Sequence, residues 1–375
     1  MLNDTKRIVI KVGSSLLIGE DGLVREQWLA SFAEDILQLK QQGKQVILVT
    51  SGAVALGRHV LGYGTRSLSL EEKQAAAAAG QAPLMFQWAH IFQFGGVNRK
   101  DDWLHPAQLL LTAEDSIERG RYLNARNTID TLLENERTIP IINENDTVAT
   151  AELRFGDNDR LAARVAQMAG ADMLVLFSDV DGLFSKNPAT HKDAEFIADV
   201  KQITPEMEQM AGGAASAVSS GGMATKLAAA KIANGAGCHM MIARGTFDHP
   251  LKRLVDGGKH TLFHAQQTPR AARKNWIAGS VHPAGNITVD EGAATALAGG
   301  KSLLPAGVKA VDGKFARGDA VTIKDASGKI IGKGLIAYDS DDATKIIGKQ
   351  TSEIEQIVGF KGRNVLIHRD DMVLE

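Results

Sequence analysis

Cysteine is almost missing from this chain: Cys238 is the single one in 375 residues. One thiol excludes an intrachain disulfide and any multi-cysteine metal site, and it suits a reducing compartment. The formal net charge is only −2, so no global field draws the protein to nucleic acid or anionic lipid. No apolar run approaches the roughly 18 residues that a membrane helix needs. The opening residues, MLNDTKRIVIKVG, carry Asp4 and one short apolar run, without the charged, apolar and cleavage regions of a signal peptide. A soluble, cytoplasmic protein with no membrane contact is expected. Internal repeats and low-complexity tracts are absent as well.

Familiar phosphate and metal motifs also fail. Gly299-Gly300-Lys301-Ser302 ends like a Walker A loop, but Thr295 holds the place of its first glycine. Gly235-Ala236-Gly237 precedes an apolar run instead of following one, as a dinucleotide fingerprint would. His368-Arg369-Asp370 begins like the catalytic loop of protein kinases, yet Glu375 stands where that loop needs asparagine. Asp179-Val180-Asp181-Gly182 lacks the register of a calcium loop. A nucleotide, if bound, is held in another way.

What is present is a rhythm of short apolar runs with helical patterns between them: Arg7 to Val12, Gln45 to Thr50, Thr138 to Asn143, Asp172 to Ser178 and His239 to Ala243. Near-continuous apolar strands alternating with helices predict an α/β fold, a mainly parallel central sheet covered on both faces. Ligands of such sheets bind beyond the carboxyl ends of the strands. There the chain places Gly13-Ser14-Ser15, Ser51-Gly52-Ala53, Glu144-Asn145-Asp146 and Asp179-Val180-Asp181-Gly182. After about residue 280 the runs become short and β-rich, with turn signals at Asp312-Gly313 and Ser327-Gly328. The expected organisation is a catalytic domain over 1–268, a linker over 269–283 and a small, mostly β domain over 284–375.

Three places carry candidate chemistry. Lys11 lies inside the first apolar run, where an ammonium costs on the order of several kcal/mol unless it has a partner, a ligand or a route to solvent. With Gly13-Ser14-Ser15 behind it, it reads as a phosphate contact. Ser219 to Lys226 (SSGGMATK) places glycines before a helix and Lys226 in its first turn, where backbone N–H groups and an ammonium converge on a phosphate or simply open a helix. Gly156-Asp157-Asn158-Asp159 precedes the amphipathic positions Leu161, Val165, Met168 and Ala169. A helix N-cap accounts for one of those three polar residues, and dipole complementarity for a second at most.

The strings VIKVGSSLL, VILVTSGAVALG, LNARNT, IPIINENDTVATAE, GDNDRLAA, LFSDVDGLF and SGGMATKL occur in this order. Together they resemble the glutamate 5-kinase family of the amino acid kinase superfamily. The segment KSLLPAGVKAVDGKFARGDAVTI is similar to that family's C-terminal PUA domain, so the resemblance spans essentially the whole chain. It implies a three-layer αβα sandwich plus PUA domain, and transfer of the ATP γ-phosphoryl to the side-chain carboxylate of L-glutamate. The product is γ-glutamyl 5-phosphate, the first step of proline biosynthesis.

Residue by residue, the resemblance implies Lys11 and Lys226 at the phosphoryl group, oriented by Asp159. It places Ser51, Gly52, Ala53, Asn143, Asp146, Asp157 and Asn158 around the amino acid, and Lys11, Gly13, Ser178, Asp179 and Ser220, Gly221, Gly222, Met223, Ala224, Thr225 and Lys226 around ATP. Mg2+ accompanies ATP, with no protein ligand assigned. Further implications are inhibition by proline, a homodimer or homotetramer, and a transient partnership with glutamyl phosphate reductase.

The chain departs from the family pattern in the extra residues around Asn98 to His105, expected to form a solvated loop. Two rival readings remain open. One is an RNA-binding regulator on a kinase scaffold, disfavoured by 12 lysines and arginines against 13 aspartates and glutamates over 285–375. The other is a kinase with a different acceptor, such as acetylglutamate, disfavoured by Asp146 and Asp157, which suit a free α-ammonium.

Overall fold

The computed structural model describes residues 2–94, 103–149, 158–211, 222–280 and 282–374. Asp157, Ser220, Gly221 and residues 98–102 of the extra segment lie outside them. Chain contacts divide the protein into two compact units, Met1–Ile117 with Ala125–Pro269, and Glu118–Asn124 with Arg270–Glu375.

The strands of the first unit are β1 Arg7–Val12, β2 Gln45–Val49, β3 His105–Leu111, β4 Thr138–Glu144, β5 Met173–Ser178, β6 Leu183–Phe184, β7 Phe196–Ile197, β8 Asp199–Val200, β9 His239–Arg244 and β10 His260–Phe263. Eight of them form one sheet in the order β3-β4-β2-β1-β5-β9-β10-β8, and β6 and β7 form a separate two-stranded hairpin. Every pairing in the large sheet is parallel except β9 with β10. The apolar runs at Arg7, Gln45, Thr138, Asp172 and His239 thus become β1, β2, β4, β5 and β9.

Its helices are α1 Ser14–Leu17, α2 Glu26–Gln41, α3 Ala53–Val60, α4 Leu70–Phe94, α5 Arg119–Glu134, α6 Asn158–Ala169, α7 Pro205–Met210, α8 Met223–Gly235 and α9 Pro250–Val255; the first turn of α5 groups with the second unit. The alternation of β1 decides what meets what. Ile8, Ile10 and Val12 pack with Trp28 and Phe32 of α2 and Trp88 and Phe92 of α4 in one core cluster. Side chains of opposite parity, Val9 and Lys11, therefore point to the other face of the sheet. That face is covered by α6 and α8, which pack on each other, so a lysine at position 11 meets the first turns of both.

Two glycines bring α3 and α4 into close contact. A Cβ on Gly57 would collide with the Ala76 carbonyl, and one on Gly80 with the Ala53 carbonyl. The start of α3, and with it the Ser51-Gly52-Ala53 turn, is held against α4 through this contact.

The segment 269–283, expected as a linker, contains α10 Pro269–Ser280. Pro269 opens this helix, where a proline at the first turn loses no hydrogen bond. Beyond it lie β11 Gly285–Val289, α11 Glu291–Ala298, β12 Val308–Gly313, β13 Ala320–Lys324, β14 Ile330–Leu335, α12 Ser340–Ile346, α13 Ile354–Val358 and β15 Met372–Leu374. The five strands form a sheet in the order β12-β11-β13-β14-β15 around a core that includes Ile287, Val321, Ile323, Ile336 and Ile367. Ser327-Gly328 turns between the antiparallel strands β13 and β14, with Gly328 at φ 86°. Asp312-Gly313 makes no such hairpin: β12 and β13 lie on opposite sides of β11, so Gly313 ends a strand.

Candidate active site

The helix opened by the GDND stretch starts at Asn158, so Asp159 lies inside its first turn and not at a cap. Its carboxylate has no exposed surface. Lys11 Nζ lies 2.6 Å from one carboxylate oxygen and Lys226 Nζ 3.1 Å from the other. Both lysines are themselves buried, with 9% and 5% of their surface exposed. Burial is the largest influence on the Asp159 carboxyl and pushes its pKa up, but Lys11 and Lys226 together outweigh it and hold the group below the usual carboxylate range. One anion thus keeps two like charges close together in a site poor in water.

Thr225 joins the same cluster: its hydroxyl lies 2.7 Å from the Gly222 carbonyl and 3.3 Å from Asp159 Oδ2. The Thr225 side chain is buried and turned towards Asp159. Gly13 lies close by, since a Cβ there would stand 3.7 Å from Lys11 Nζ.

Asn158 organises the loops beside this cluster. Its Nδ2 donates towards the Thr50 carbonyl at 2.5 Å, Ser51 Oγ at 2.7 Å and Asn143 Oδ1 at 3.0 Å. Two N–H protons are shared among three acceptors, tying the ends of β2 and β4 to the start of α6. Asn143 in turn donates to Gln81 Oε1 at 2.9 Å, and Trp88 Nε1 donates to Thr50 Oγ1 at 3.1 Å. Gly52 stands at φ 111° as it leads into α3, a conformation open to glycine and strained for other residues.

Two cavities of about 360 Å³ flank the ion-paired lysines. The first is lined by Ser14, Ser51, Gly52, Ala53, Asn143, Glu144, Asp146 and Asn158, with Arg58 of α3. The second is lined by Ser178, Asp179, Gly182, Leu183, Phe184, Lys186, Met210, Gly222, Met223 and Lys226 among others. The structure thus brings the Ser51 turn, Asn143, Asp146 and Asn158 to one cavity, and Ser178, Asp179, Gly222, Met223 and Lys226 to the other. Ala224 lines neither.

Residues 6–244 match the amino acid kinase family, and residues 285–358 match the PUA domain. A glutamate 5-kinase of Paramagnetospirillum magneticum is 54% identical over 371 residues, covering 99% of this chain and 98% of that protein. The chain belongs to the glutamate 5-kinase family. A second relative of that name, from Rhodopseudomonas palustris, is 52% identical over 374 residues, covering 100% of this chain and 97% of its own. Among solved structures, a UMP kinase from Ureaplasma parvum aligns at 15% identity with a TM-score of 0.46, over 69% of this chain and 98% of its own.

For a member of this kinase family, the cavities add lining residues to which the sequence assigned no role. Ser14 and Glu144 each adjoin a residue that was singled out, and their place at strand ends was the available signal. Phe184 closes the quoted string LFSDVDGLF without a role of its own, and Arg58, Lys186 and Met210 carried no signal, because they come from a helix or from excursions outside the sheet. Cys238 is buried, and burial, with Asp172 adding to it, pushes its thiol pKa up, so it is no candidate nucleophile. Among the described residues no group of three or more His, Cys, Asp or Glu could hold a metal ion, and no helix is long and apolar enough to cross a membrane.

Proposed function

We propose that the protein transfers the γ-phosphoryl of MgATP to the side-chain carboxylate of L-glutamate, forming γ-glutamyl 5-phosphate at the first step of proline biosynthesis. The observation that carries this reading is the buried Asp159 carboxylate between Lys11 and Lys226, with one cavity on the Asn158 side and another on the Lys226 side. Phosphoryl transfer asks little covalent chemistry of a protein; it asks for alignment and for cations where charge spreads over the transferring oxygens. Lysine supplies a compact ammonium for such a contact. Asp159 holds the two ammonium groups in place before substrate arrives, so little reorganisation is left for the reaction itself.

The glutamate side chain needs no general base, because its carboxylate is already ionised at neutral pH. In this reading Ser51, Gly52 and Ala53 offer hydroxyl and backbone donors to a substrate carboxylate, and Asn158 fixes that turn. Asp146, with Glu144 beside it, faces the α-ammonium, and Asp157 is assigned to the same pocket. Ser178, Asp179 and the loop from Ser220 to Lys226 belong to the nucleotide. Magnesium enters with ATP as part of the substrate, held by phosphate oxygens and water; both Asp159 oxygens already face ammonium groups, so that carboxylate serves the lysines and not the ion.

Proline fits the same pocket as an inhibitor, since it shares the α-carboxylate and a positively charged nitrogen with glutamate. A homodimer or homotetramer, a cytoplasmic setting, transient contact with glutamyl phosphate reductase, and a regulatory or assembly role for the PUA domain complete the reading. The test is ATP- and Mg2+-dependent formation of a hydroxylamine-trapped product, comparing glutamate, acetylglutamate and aspartate, with proline in a parallel series. Product from glutamate alone is expected. Product from acetylglutamate at an equal rate would transfer the assignment to another acceptor.

A further inference from the structure

The β6–β7 hairpin and the loop it carries supply Leu183, Phe184, Lys186, Asn187 and Pro188 to the wall of the Ser178 cavity. Its ladder holds two residue pairs, Leu183 with Ile197 and Phe184 with Phe196. A two-stranded ribbon that short does not hold its shape alone in water. It has to be fastened to the body of the domain.

Thr261 of β10 provides the side-chain fastening, next to the backbone bond from Leu262 N–H to the Ala198 carbonyl at 2.7 Å where β7 runs on into β8. Its hydroxyl accepts from Leu183 N–H at 2.7 Å and donates to the Ile197 carbonyl at 2.6 Å. These two backbone groups belong to the paired residues at the base of the hairpin, so a single hydroxyl, fully buried, uses its donor and an acceptor to close that base onto the central sheet. A Cβ at Gly182 would collide with Thr261 Oγ1, so only glycine lets the chain pass this close. On the outer side the Lys259 ammonium stands 4.3 Å from the Phe196 ring centre and 5.2 Å from that of Phe184, an exposed contact of the kind that contributes little beside two buried hydrogen bonds.

We infer that Thr261 is a positioning residue for the nucleotide: it sets the hairpin wall of the Ser178 cavity without itself lining it. The inference rests on the reading of that cavity as the nucleotide site. Thr261→Val keeps the shape and removes both hydrogen bonds, leaving the base of the hairpin only the ladder pairing of Leu183 with Ile197.

The experiment measures KM for ATP, KM for glutamate, kcat and the affinity for MgADP by calorimetry, on the full chain. Thr261→Val should raise KM for ATP and weaken MgADP binding by about tenfold, with KM for glutamate within about twofold, and Thr261→Ser should restore both values. An equal rise in both KM values, or a lowered melting temperature with unchanged MgADP affinity, overturns the inference. Should Thr261→Val fail to fold, Gly182→Ala pushes the same contact apart from the other side and must give the same selective loss. Phe184→Ala separates the two layers of the argument. If it leaves MgADP binding intact, the nucleotide reading of the cavity falls and this inference with it. If it weakens MgADP binding while Thr261→Val does not, the positioning role alone is overturned.

Discussion

The two cavities beside Asp159 are nearly equal in size and built on different principles. The Ser51 cavity is made from strand ends and helix starts of the central sheet, cross-linked by the side chains of Asn158, Asn143 and Gln81. The Ser178 cavity is walled by an excursion from the sheet and by the opening turn of α8, fastened at few points. On the proposed reading the Ser51 cavity takes a small amino acid with three charged groups, which is recognised by fixed donors and acceptors and so calls for the stiffest part of the fold. A nucleotide brings large surfaces that a less braced wall suffices to cover. The ion-paired lysines stand where the two constructions meet.

The largest effect should come from breaking that junction. Asp159→Asn leaves two buried ammonium groups facing a neutral amide, and kcat is expected to fall on the order of 10²–10³-fold. Loss of a buried partner also lowers stability by about 3–5 kcal/mol, so steady-state rates and a denaturant titration must be read together; unchanged kcat in a folded variant would remove Asp159 from the mechanism. Next comes the comparison itself. Asn158→Ala and Asp146→Ala should each raise KM for glutamate by about tenfold or more, with KM for ATP little changed; equal rises would mean that the two cavities are not separate sites.

A smaller effect is expected at Gly52. Alanine at φ 111° costs about 1–3 kcal/mol, and its Cβ would press on Ile18 Cγ1 at 3.4 Å. Gly52→Ala should therefore lower the melting temperature and raise KM for glutamate by a few fold, while MgADP affinity holds.

The smallest effect over the working range is that of pH. The Asp159 carboxyl is held low in the folded protein, so its contribution to stability is fully present above the unfolded value of about 3.9 and is lost as pH falls through the lower folded value. The stability gap between parent and Asp159→Asn should stay flat across neutral pH and shrink only below about pH 4. A gap that closes near neutrality would mean that the carboxyl is not held low.

Much of this was legible in the chain because parallel strands announce themselves as apolar runs. Their ends, at Gly13, Ser51, Asp146 and Ser178, then point to one edge. Lys11 was suspect because a lysine inside such a run needs a partner. Lys44 shows the limit of that argument: it is buried too, and its ammonium is spent on the carbonyls of Leu2, Asn3 and Thr5. Lys44 precedes its strand whereas Lys11 lies inside one, but burial alone does not separate a structural lysine from a site lysine, because the partners of both lie on other elements. The strand β3 is missing from the apolar runs, for it is an edge strand with exposed positions. β8 and the β6–β7 hairpin are too short to carry a periodic signal at all.

By itself, then, the sequence determined the class of fold, the edge of the sheet where chemistry gathers and the family of the chain, since these follow from periodicity and ordered motifs. The resemblance already implied that Asp159 orients Lys11 and Lys226, and the tertiary structure added their contact distances and burial; it alone decided that Asn158 links β2, β4 and α6 and that Thr261 bonds the base of a wall without lining the cavity. Most of these contacts join residues 64 to 108 positions apart in the chain, Lys11 and Asp159 farther still, and distances of that kind are set by how helices and strands pack and not by any local pattern.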